Sequence, residues 1–373
     1  MNYTKPNFTK SILNISASLA KYLQVQTDKP SLVNLDKILS SSSAKNVVFI
    51  CFDGMGIHPL QVNLPNNSFL RSHVIDELTS TFPSTTTCAT TTLATCTYPL
   101  EHGWLGWTLH FDEIDANVDV YVGKEHQTGK DVNCVYPLED NGAYYFDRCR
   151  LDDFTLHTVF PHYVLPSKLA QNHVTSNLQE FCLAINQACA QSGKQFVYAY
   201  FPEPDYTMHE HGVTSQQAKT VIESINKTVV DLAKCCTNTL FVITADHGQI
   251  DVAGQVDFYL DTELMAMLKC PPYLDARTPC FHVKQNCLQD FERLFTERYG
   301  SDFELHKTEA LISQGYFGAK GNKAHLLGDF IAIGTFTHKI FNGYPPCDDD
   351  IVFKGHHTST TEEMLVPLIV IKS

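Results

Sequence analysis

The sequence predicts one α/β domain, residues 1–373, with a mainly parallel central sheet, helices on both faces and inserted cap segments. Three continuous apolar runs end in acidic residues: NVVFICFDGMG (46–56), QFVYAYFPEPD (195–205) and TLFVITADHG (239–248). Such runs are typical of strands that are buried on both faces of a parallel sheet. Amphipathic helices are predicted at 176–193 and 215–236. Strands that alternate with helices favour βαβ units and a doubly wound sheet.

The remaining elements follow from the same patterns. Apolar residues at helical spacing predict two helices between about 10 and 40, and a further helix near 286–299. Residues 105–170 and 252–345 do not follow the strand–helix rhythm, so we interpret them as insertions that form cap or specificity regions. GDFIAIGTF (328–336) predicts a strand at the end of the second insertion.

Composition limits the classes of function. The chain has 373 residues, 43% of them hydrophobic, and a formal net charge of -14, so we expect a folded acidic protein that does not bind nucleic acid through a basic surface. The 13 cysteines show no paired CxxC spacing and predict neither a zinc ribbon nor a disulfide framework. We find no signal peptide and no membrane-spanning run. A cytoplasmic protein is therefore predicted.

Acidic residues follow each of the three buried strands, at Asp53, Asp205 and Asp246. Ligands of open α/β sheets bind outside the carboxyl ends of the strands. Carboxylates that meet there repel one another unless cations hold them. His209 lies four residues after Asp205, and His247 directly follows Asp246. Oxygen and imidazole ligands together suit zinc, with manganese as an alternative.

Each motif alone is weak evidence. An Asp-His pair or a DxxxH spacing is usually part of a solvated surface, and Asp-Gly after a strand is usually a turn. What favours a functional interpretation is the order of the motifs, each placed after a buried strand. A threonine-rich segment, TSTFPSTTTCATTTLATC (79–96), lies between the first and second of them.

Taken in order, FDGMG, FPSTT, TLATCTYPLEHG, EPDYTMHEHG, TADHG and a late GHH resemble the alkaline phosphatase superfamily. The resemblance is to its nucleotide pyrophosphatase/phosphodiesterase branch and covers roughly residues 46–370. It implies an alkaline phosphatase-like fold and two divalent metal ions, Zn²⁺ or Mn²⁺.

The resemblance also implies which residues bind the metals. One site would consist of Asp53, Asp246 and His247. The other would consist of Asp205, His209 and a late histidine. The spacing to the Glu-Glu-Met segment at 362–364 selects His356 as that ligand, whereas a Gly-x-His pattern starting at Gly355 selects His357.

The resemblance further implies a threonine nucleophile that is also a metal ligand. The family places it at a helix N-terminus, ten residues before the small residue that ends the TLATG-like segment, here Cys96; this count selects Thr86. Thr81 is the choice if TFP is the motif, and Thr85 is the nearest neighbour. A divalent cation would lower the pKa of the hydroxyl, and the helix N-terminus would favour a bound phosphate.

The chain departs from the family at two positions. Trp107 replaces an asparagine that usually donates to a phosphate oxygen, and Cys96 replaces a glycine. Trp107 could instead supply an aromatic wall, whereas for one of Trp104 and Trp107 we expect core packing. A Cys-x-Pro-x-Arg segment is missing from the region of the nucleophile, which argues against a formylglycine sulfatase.

The sequence therefore predicts a two-metal phosphohydrolase that cleaves a phosphodiester or nucleotide pyrophosphate bond through a covalent phospho-threonine. Its partner would be a small-molecule phosphate ester, with no nucleic-acid polymer and no membrane. A phosphomonoesterase or phosphomutase of the same superfamily is the alternative. A metal-stabilised binding protein without turnover is the alternative from another class. The sequence does not indicate the oligomeric state.

Overall fold

The computed structural model describes residues 3–132, 144–345 and 352–373; part of the first insertion, 133–143, lies outside them. Numbered along the chain, the strands are β1 Asn46–Phe52, β2 Val74–Thr79, β3 Thr108–Phe111, β4 Ala116–Asp119, β5 Lys124–Glu125, β6 Phe154–Phe160, β7 Gln171–Val174, β8 Lys194–Phe201, β9 Thr239–Thr244, β10 Ile250–Asp251, β11 Gly254–Asp257, β12 Cys280–Phe281, β13 Phe303–Lys307, β14 Phe330–Gly334, β15 Lys339–Asn342, β16 Gly355–His356 and β17 Leu365–Lys372. The α-helices are Ile12–Tyr22, Val33–Ser41, Ile57–Asn63, Phe69–Ser72, Thr86–Thr95, Pro99–His102, Leu178–Ala190, Asp205–His211, Gln216–Cys235, Thr262–Met265, Leu288–Tyr299, Thr308–Ser313 and Thr361–Met364.

The central sheet has seven strands in the order β2-β17-β9-β1-β8-β6-β7. Strands β9, β1, β8, β6 and β7 run parallel, and β17 is antiparallel to both of its neighbours. Every residue of β1 and β9 is buried, as the continuous apolar runs predict. The predicted α/β class with a mainly parallel sheet is confirmed.

One boundary differs from the sequence prediction. Strand β6 lies within 105–170 yet belongs to the central sheet, next to β8, so the region outside the sheet is shorter than predicted. Its FTLHTVF sequence contains a buried histidine, His157, whose Nε2 lies 2.9 Å from the Gln195 side-chain oxygen. That polar residue interrupts the apolar run that marks the other central strands.

The second insertion contains a strand at the predicted place, β14, but this strand does not join the central sheet. It pairs with β12 and β13 in a separate three-stranded sheet. The helix Leu288–Tyr299 packs on that sheet through Phe291 and Phe295. These buried rings belong to a hydrophobic core that is separate from that of the central sheet. Among the described residues, no helix is long and apolar enough to span a bilayer.

A buried ion pair joins the second insertion to the C-terminal part of the chain. Arg277 and Glu363 are both fully buried, and Arg277 Nε lies 2.6 Å from a Glu363 oxygen. Glu363 also accepts the backbone N–H groups of Ser359 at 3.1 Å and Thr360 at 2.7 Å. The pair therefore holds the loop that follows His356 and His357.

We expect Arg277→Ala to lower the free energy of unfolding by about 3–5 kcal/mol, because it leaves the Glu363 carboxylate buried without its partner. Urea denaturation measures this loss. The matched control is Arg293→Ala, since Arg293 pairs with Asp290 and Glu297 at the surface and its loss should cost less than about 1 kcal/mol. Equal effects of the two substitutions would contradict the expectation.

Candidate active site

The site lies at the carboxyl ends of three adjacent parallel strands. Asp53 follows β1, Asp205 follows β8, and Asp246 with His247 follows β9. Gly54 allows the loop after β1 to approach the loop after β8. Its φ is +68°, and a Cβ there would lie 2.9 Å from the Cβ of Asp205. Its N–H donates to Asp246 Oδ1 at 3.0 Å. A side chain at this position would therefore both strain the turn and push the carboxylates apart.

The first group of candidate ligands contains Asp53, Asp246 and His247. His247 Nε2 lies 3.3 Å from Asp53 Oδ1 and 3.5 Å from Asp246 Oδ2. The other ring nitrogen, Nδ1, lies 3.0 Å from the Gly248 carbonyl oxygen, an arrangement that leaves Nε2 facing the carboxylates. Asp246 Oδ2 is buried without a hydrogen-bond partner. A buried carboxylate oxygen without a partner is costly unless a cation binds it, so this group fits a metal.

The second group contains Asp205, His209 and His357, whose ligand atoms all lie within 4.8 Å of one another. His209 is one helical turn after Asp205, and its Nε2 lies 3.3 Å from Asp205 Oδ2. The Gly355 carbonyl oxygen lies 2.8 Å from His209 Nδ1 and fixes the ring. His357 Nδ1 is buried without a partner. Two imidazoles and a carboxylate fit a divalent cation such as zinc.

The structure places His357, rather than the predicted His356, within reach of Asp205 and His209. His356 is grouped with Asp275 and His357 instead. Its Nδ1 accepts the His357 backbone N–H at 2.9 Å and lies 3.8 Å from Asp275 Oδ1. The two histidine rings lie next to each other, with centroids 4.9 Å apart. Spacing along the sequence could not indicate which of the two adjacent histidines faces Asp205.

The two groups adjoin each other. Asp53, Asp205 and His247 also have ligand atoms within 4.8 Å of one another, and His247 Nε2 lies 4.0 Å from Asp205 Oδ1. The two groups of candidate ligands therefore lie side by side at one edge of the sheet.

The first residue of the helix Thr86–Thr95, which we call the threonine helix, points its hydroxyl into the first group. Thr86 Oγ1 lies 3.2 Å from His247 Nε2 and 3.4 and 3.5 Å from the two Asp53 oxygens. Thr81 lies before the helix, is fully buried and donates to the Pro83 carbonyl at 3.1 Å. Of the three candidate nucleophiles, the structure thus places Thr86 beside the metal-binding groups.

Burial and mutual repulsion set the charges of the site. Burial, and next the Asp205 charge, raise the pKa of Asp53. Burial and the Asp53 charge likewise hold the pKa of Asp246 well above its usual range. Burial alone would lower the pKa of His247, but the charges of Asp246 and Asp53 raise it to about 10. The carboxylates are packed closely enough to require nearby positive charge.

Two further residues donate hydrogen bonds to the candidate ligands, and sequence patterns did not reveal them. The Tyr200 hydroxyl donates to Asp53 Oδ2, and the Gln249 side-chain N–H donates to Asp205 Oδ1. Outer residues of this kind fix the orientation of metal-binding carboxylates. Tyr200 lies inside an apolar strand, and nothing in the sequence distinguishes it there from a core tyrosine.

The two tryptophans differ in exposure. Trp104 is 5% exposed and packs in the core, whereas Trp107 is 36% exposed. Trp107 stacks on Tyr121 with ring centroids 6.0 Å apart, and Tyr121 meets Tyr163 edge-on at 6.3 Å. Tyr121 and Tyr200 line the same cavity. A continuous aromatic wall, formed by Trp107, Tyr121 and Tyr163, therefore leads from the surface to the ligands.

Comparison with known proteins agrees with this geometry. Residues 47–335 match the model of the family described as type I phosphodiesterase / nucleotide pyrophosphatase. The chain belongs to this family. It is therefore an enzyme that hydrolyses phosphate esters, as the motif order predicts. No curated protein matches its sequence.

Several solved structures share the fold at low sequence identity. Murine ectonucleotide pyrophosphatase / phosphodiesterase 5 is 15% identical with a TM-score of 0.67, covering 88% of both chains. An inactive threonine-to-alanine form of it in complex with AMP is 15% identical with a TM-score of 0.64, covering 86% of this chain and 87% of that one. Phosphonoacetate hydrolase from Sinorhizobium meliloti is 14% identical with a TM-score of 0.58, covering 89% and 90%.

Proposed function

We propose that this chain is a two-metal phosphohydrolase that cleaves a phosphodiester or nucleotide pyrophosphate bond through a covalent phospho-Thr86. The observation that carries the proposal is the position of the Thr86 hydroxyl, within 3.5 Å of both Asp53 oxygens and His247 Nε2. A hydroxyl placed at a helix N-terminus among metal-binding groups is suited to attack a phosphorus atom.

We propose that Asp53, Asp246, His247 and Thr86 hold one cation, and that Asp205, His209 and His357 hold the other. The buried, unpartnered Asp246 Oδ2 and His357 Nδ1 support this division. Mixed nitrogen and oxygen donors favour Zn²⁺, with Mn²⁺ as the alternative. When bound, such ions lower the pKa of a hydroxyl and neutralise charge on the attacking and leaving oxygens.

The residues of the chain would act in two balanced steps. In the first, a bond forms between Thr86 Oγ1 and phosphorus, the bond to the departing alcohol breaks, and the hydroxyl proton leaves with that alcohol. In the second, water attacks the phosphorus on phospho-Thr86, which releases the phosphate product and restores the hydroxyl. The backbone N–H groups at the start of the threonine helix would hold the phosphate oxygens in both steps.

The aromatic wall supports an ester with a planar group. Trp107 occupies the position of the expected asparagine and offers a ring face instead of an amide donor. The murine relative that holds AMP agrees with such a group. A small-molecule ester is thus the proposed partner, and a cytoplasmic location stays a prediction.

The test compares bis(p-nitrophenyl) phosphate with p-nitrophenyl phosphate, each with added zinc or manganese. We expect faster cleavage of the diester, because the aromatic wall can accept its second aryl group. Faster cleavage of the monoester would reassign the chain as a phosphomonoesterase. If the metal-loaded protein cleaves neither, the binding-protein alternative gains support.

A further inference from the structure

A mainly apolar cavity lies beside the threonine helix. Its volume is about 30 Å³, and its walls come from the threonine helix, from strands β1, β6 and β8 of the central sheet, and from the first insertion. The residues on which the argument depends are Thr90 and Ala94 of the threonine helix, Tyr200 of β8, and Tyr121, Tyr144 and Val164 of the first insertion. The proposed function leaves this cavity unused.

Two residues that line the cavity also contact the candidate active site. The Tyr200 hydroxyl donates to Asp53 Oδ2, and the Thr90 hydroxyl donates to the backbone carbonyl of Thr86 at 2.6 Å. Tyr121, which belongs to the aromatic wall, lines the cavity as well. The cavity therefore adjoins both Thr86 and the wall, and a group attached to a phosphate beside Thr86 is close enough to enter it.

The polar side chains of the lining have their hydroxyl groups engaged elsewhere. Those of Thr90 and Tyr200 donate to Thr86 and Asp53, and the Tyr144 hydroxyl donates to the Leu165 carbonyl at 2.5 Å. What these residues offer the cavity is therefore mainly hydrocarbon. An unfilled apolar cavity destabilises a folded protein, and an apolar ligand that fills it restores the missing contacts. The lining thus favours a hydrocarbon group over a polar one.

The volume of the cavity and its place beside the helix narrow the ligand further. A cavity of about 150 Å³ holds benzene and one of about 10–15 Å³ holds a water, so about 30 Å³ suits two or three aliphatic carbons. In an in-line displacement the departing group lies opposite the nucleophile. The cavity is lined by the helix that carries Thr86, so the group that enters it is the one retained on phosphorus.

We propose that this cavity, which we call the alkyl pocket, binds a short alkyl group that stays on phosphorus, so that the substrates include phosphodiesters of short aliphatic alcohols. The inference rests on the proposed function, because it names a substrate class for the same site. Attack by Thr86 Oγ1 on such a diester forms a bond to phosphorus and releases the other alcohol with the hydroxyl proton. Attack by water then restores the hydroxyl and releases a monoalkyl phosphate.

The experiment measures the binding of inorganic phosphate, methyl phosphate and n-propyl phosphate by calorimetry on the zinc-loaded full chain. Each buried methylene should tighten binding about fourfold, so n-propyl phosphate should bind about 15-fold more tightly than methyl phosphate. Inorganic phosphate is the reference, because it has no group that reaches the alkyl pocket. This readout is an affinity and does not depend on turnover.

Two substitutions change the size of the alkyl pocket in opposite directions by the same two carbons. Ala94→Val fills it and should reduce the preference for n-propyl over methyl phosphate to less than about threefold. Val164→Ala enlarges it and should tighten the binding of n-pentyl phosphate at least about fivefold relative to the wild type. Both variants should keep the wild-type affinity for inorganic phosphate and the wild-type zinc content, since neither residue is a candidate ligand.

Three results would overturn the inference. One is equal affinity of the wild type for methyl and n-propyl phosphate. Another is a preference for n-propyl phosphate that survives Ala94→Val, which would place the alkyl group elsewhere, for example on the aromatic wall. The third is an unchanged affinity of Val164→Ala for n-pentyl phosphate, a result that decides the matter even if Ala94→Val fails to fold.

These results are separate from the test of the function itself. Protein that prefers n-propyl phosphate but cleaves neither nitrophenyl ester would contradict the proposed activity and leave the alkyl pocket as a binding site. Active protein without the preference would reject only the alkyl pocket. Failure of inorganic phosphate itself to bind would overturn both.

Discussion

Thr86→Ala should reduce turnover of the preferred nitrophenyl ester at least about a thousandfold, because it removes the attacking oxygen and leaves only binding and the cations. The thermal stability of the metal-free protein should stay close to wild type, since the hydroxyl contributes only contacts longer than 3 Å to His247 and Asp53. Asp53, Asp246 and His247 remain as ligands in this variant, and its metal content is measured beside its rate. Steady-state rates at saturating zinc measure the loss.

Thr95→Ala is the matched control for the loss of a threonine hydroxyl. Thr95 is buried at the opposite end of the same helix, where its hydroxyl donates to the Thr91 carbonyl at 2.7 Å. The control should keep its activity. Acid-quenched wild-type protein should carry a phosphoryl group on Thr86, detectable by mass spectrometry, and Thr86→Ala should carry none. Full activity in Thr86→Ala would refute Thr86 as the nucleophile and would leave Thr85 and Thr81 as the candidates.

Sequence patterns predict the parts of this molecule that depend on local periodicity. The runs ending at Asp53, Asp205 and Asp246 predict both the central strands and the edge where the carboxylates meet. A parallel sheet requires strands that are buried on both faces, and the carboxyl ends of such strands lie together. Both constraints leave a recognisable pattern in the amino-acid sequence, so the fold class and most of the candidate ligands follow from them.

What could not be predicted depends on contacts between distant segments. Strand β6 carries a buried His157 that the Gln195 side chain satisfies, and a pattern based on apolar residues misses such a strand. Asp275 belongs to an insertion that carries no motif, yet its Oδ1 lies 3.8 Å from Nδ1 of His356. Neither partner indicates the other in the sequence, because the pairing exists only after the insertion has packed on the sheet.

The adjacent histidines give the sharpest test of the metal assignment. His357→Ala should lose about one equivalent of zinc at micromolar free metal, because His357 completes the group formed with Asp205 and His209. His356→Ala should keep both equivalents. His356 contacts Asp275 and accepts the His357 N–H, so it supports a ligand without binding the metal itself. The loss of such a supporting residue typically weakens metal affinity about 10- to 100-fold.

Both substitutions remove one buried imidazole from the same loop, so their general effects on packing should be alike. A difference in bound zinc, measured by elemental analysis after equilibrium dialysis, therefore reports ligation. Added zinc should raise the melting temperature of His356→Ala more than that of His357→Ala, because a ligand stabilises the folded state according to its affinity. The opposite order would restore His356 as the ligand and would mean that the grouping with Asp205 and His209 does not describe the metal-bound protein.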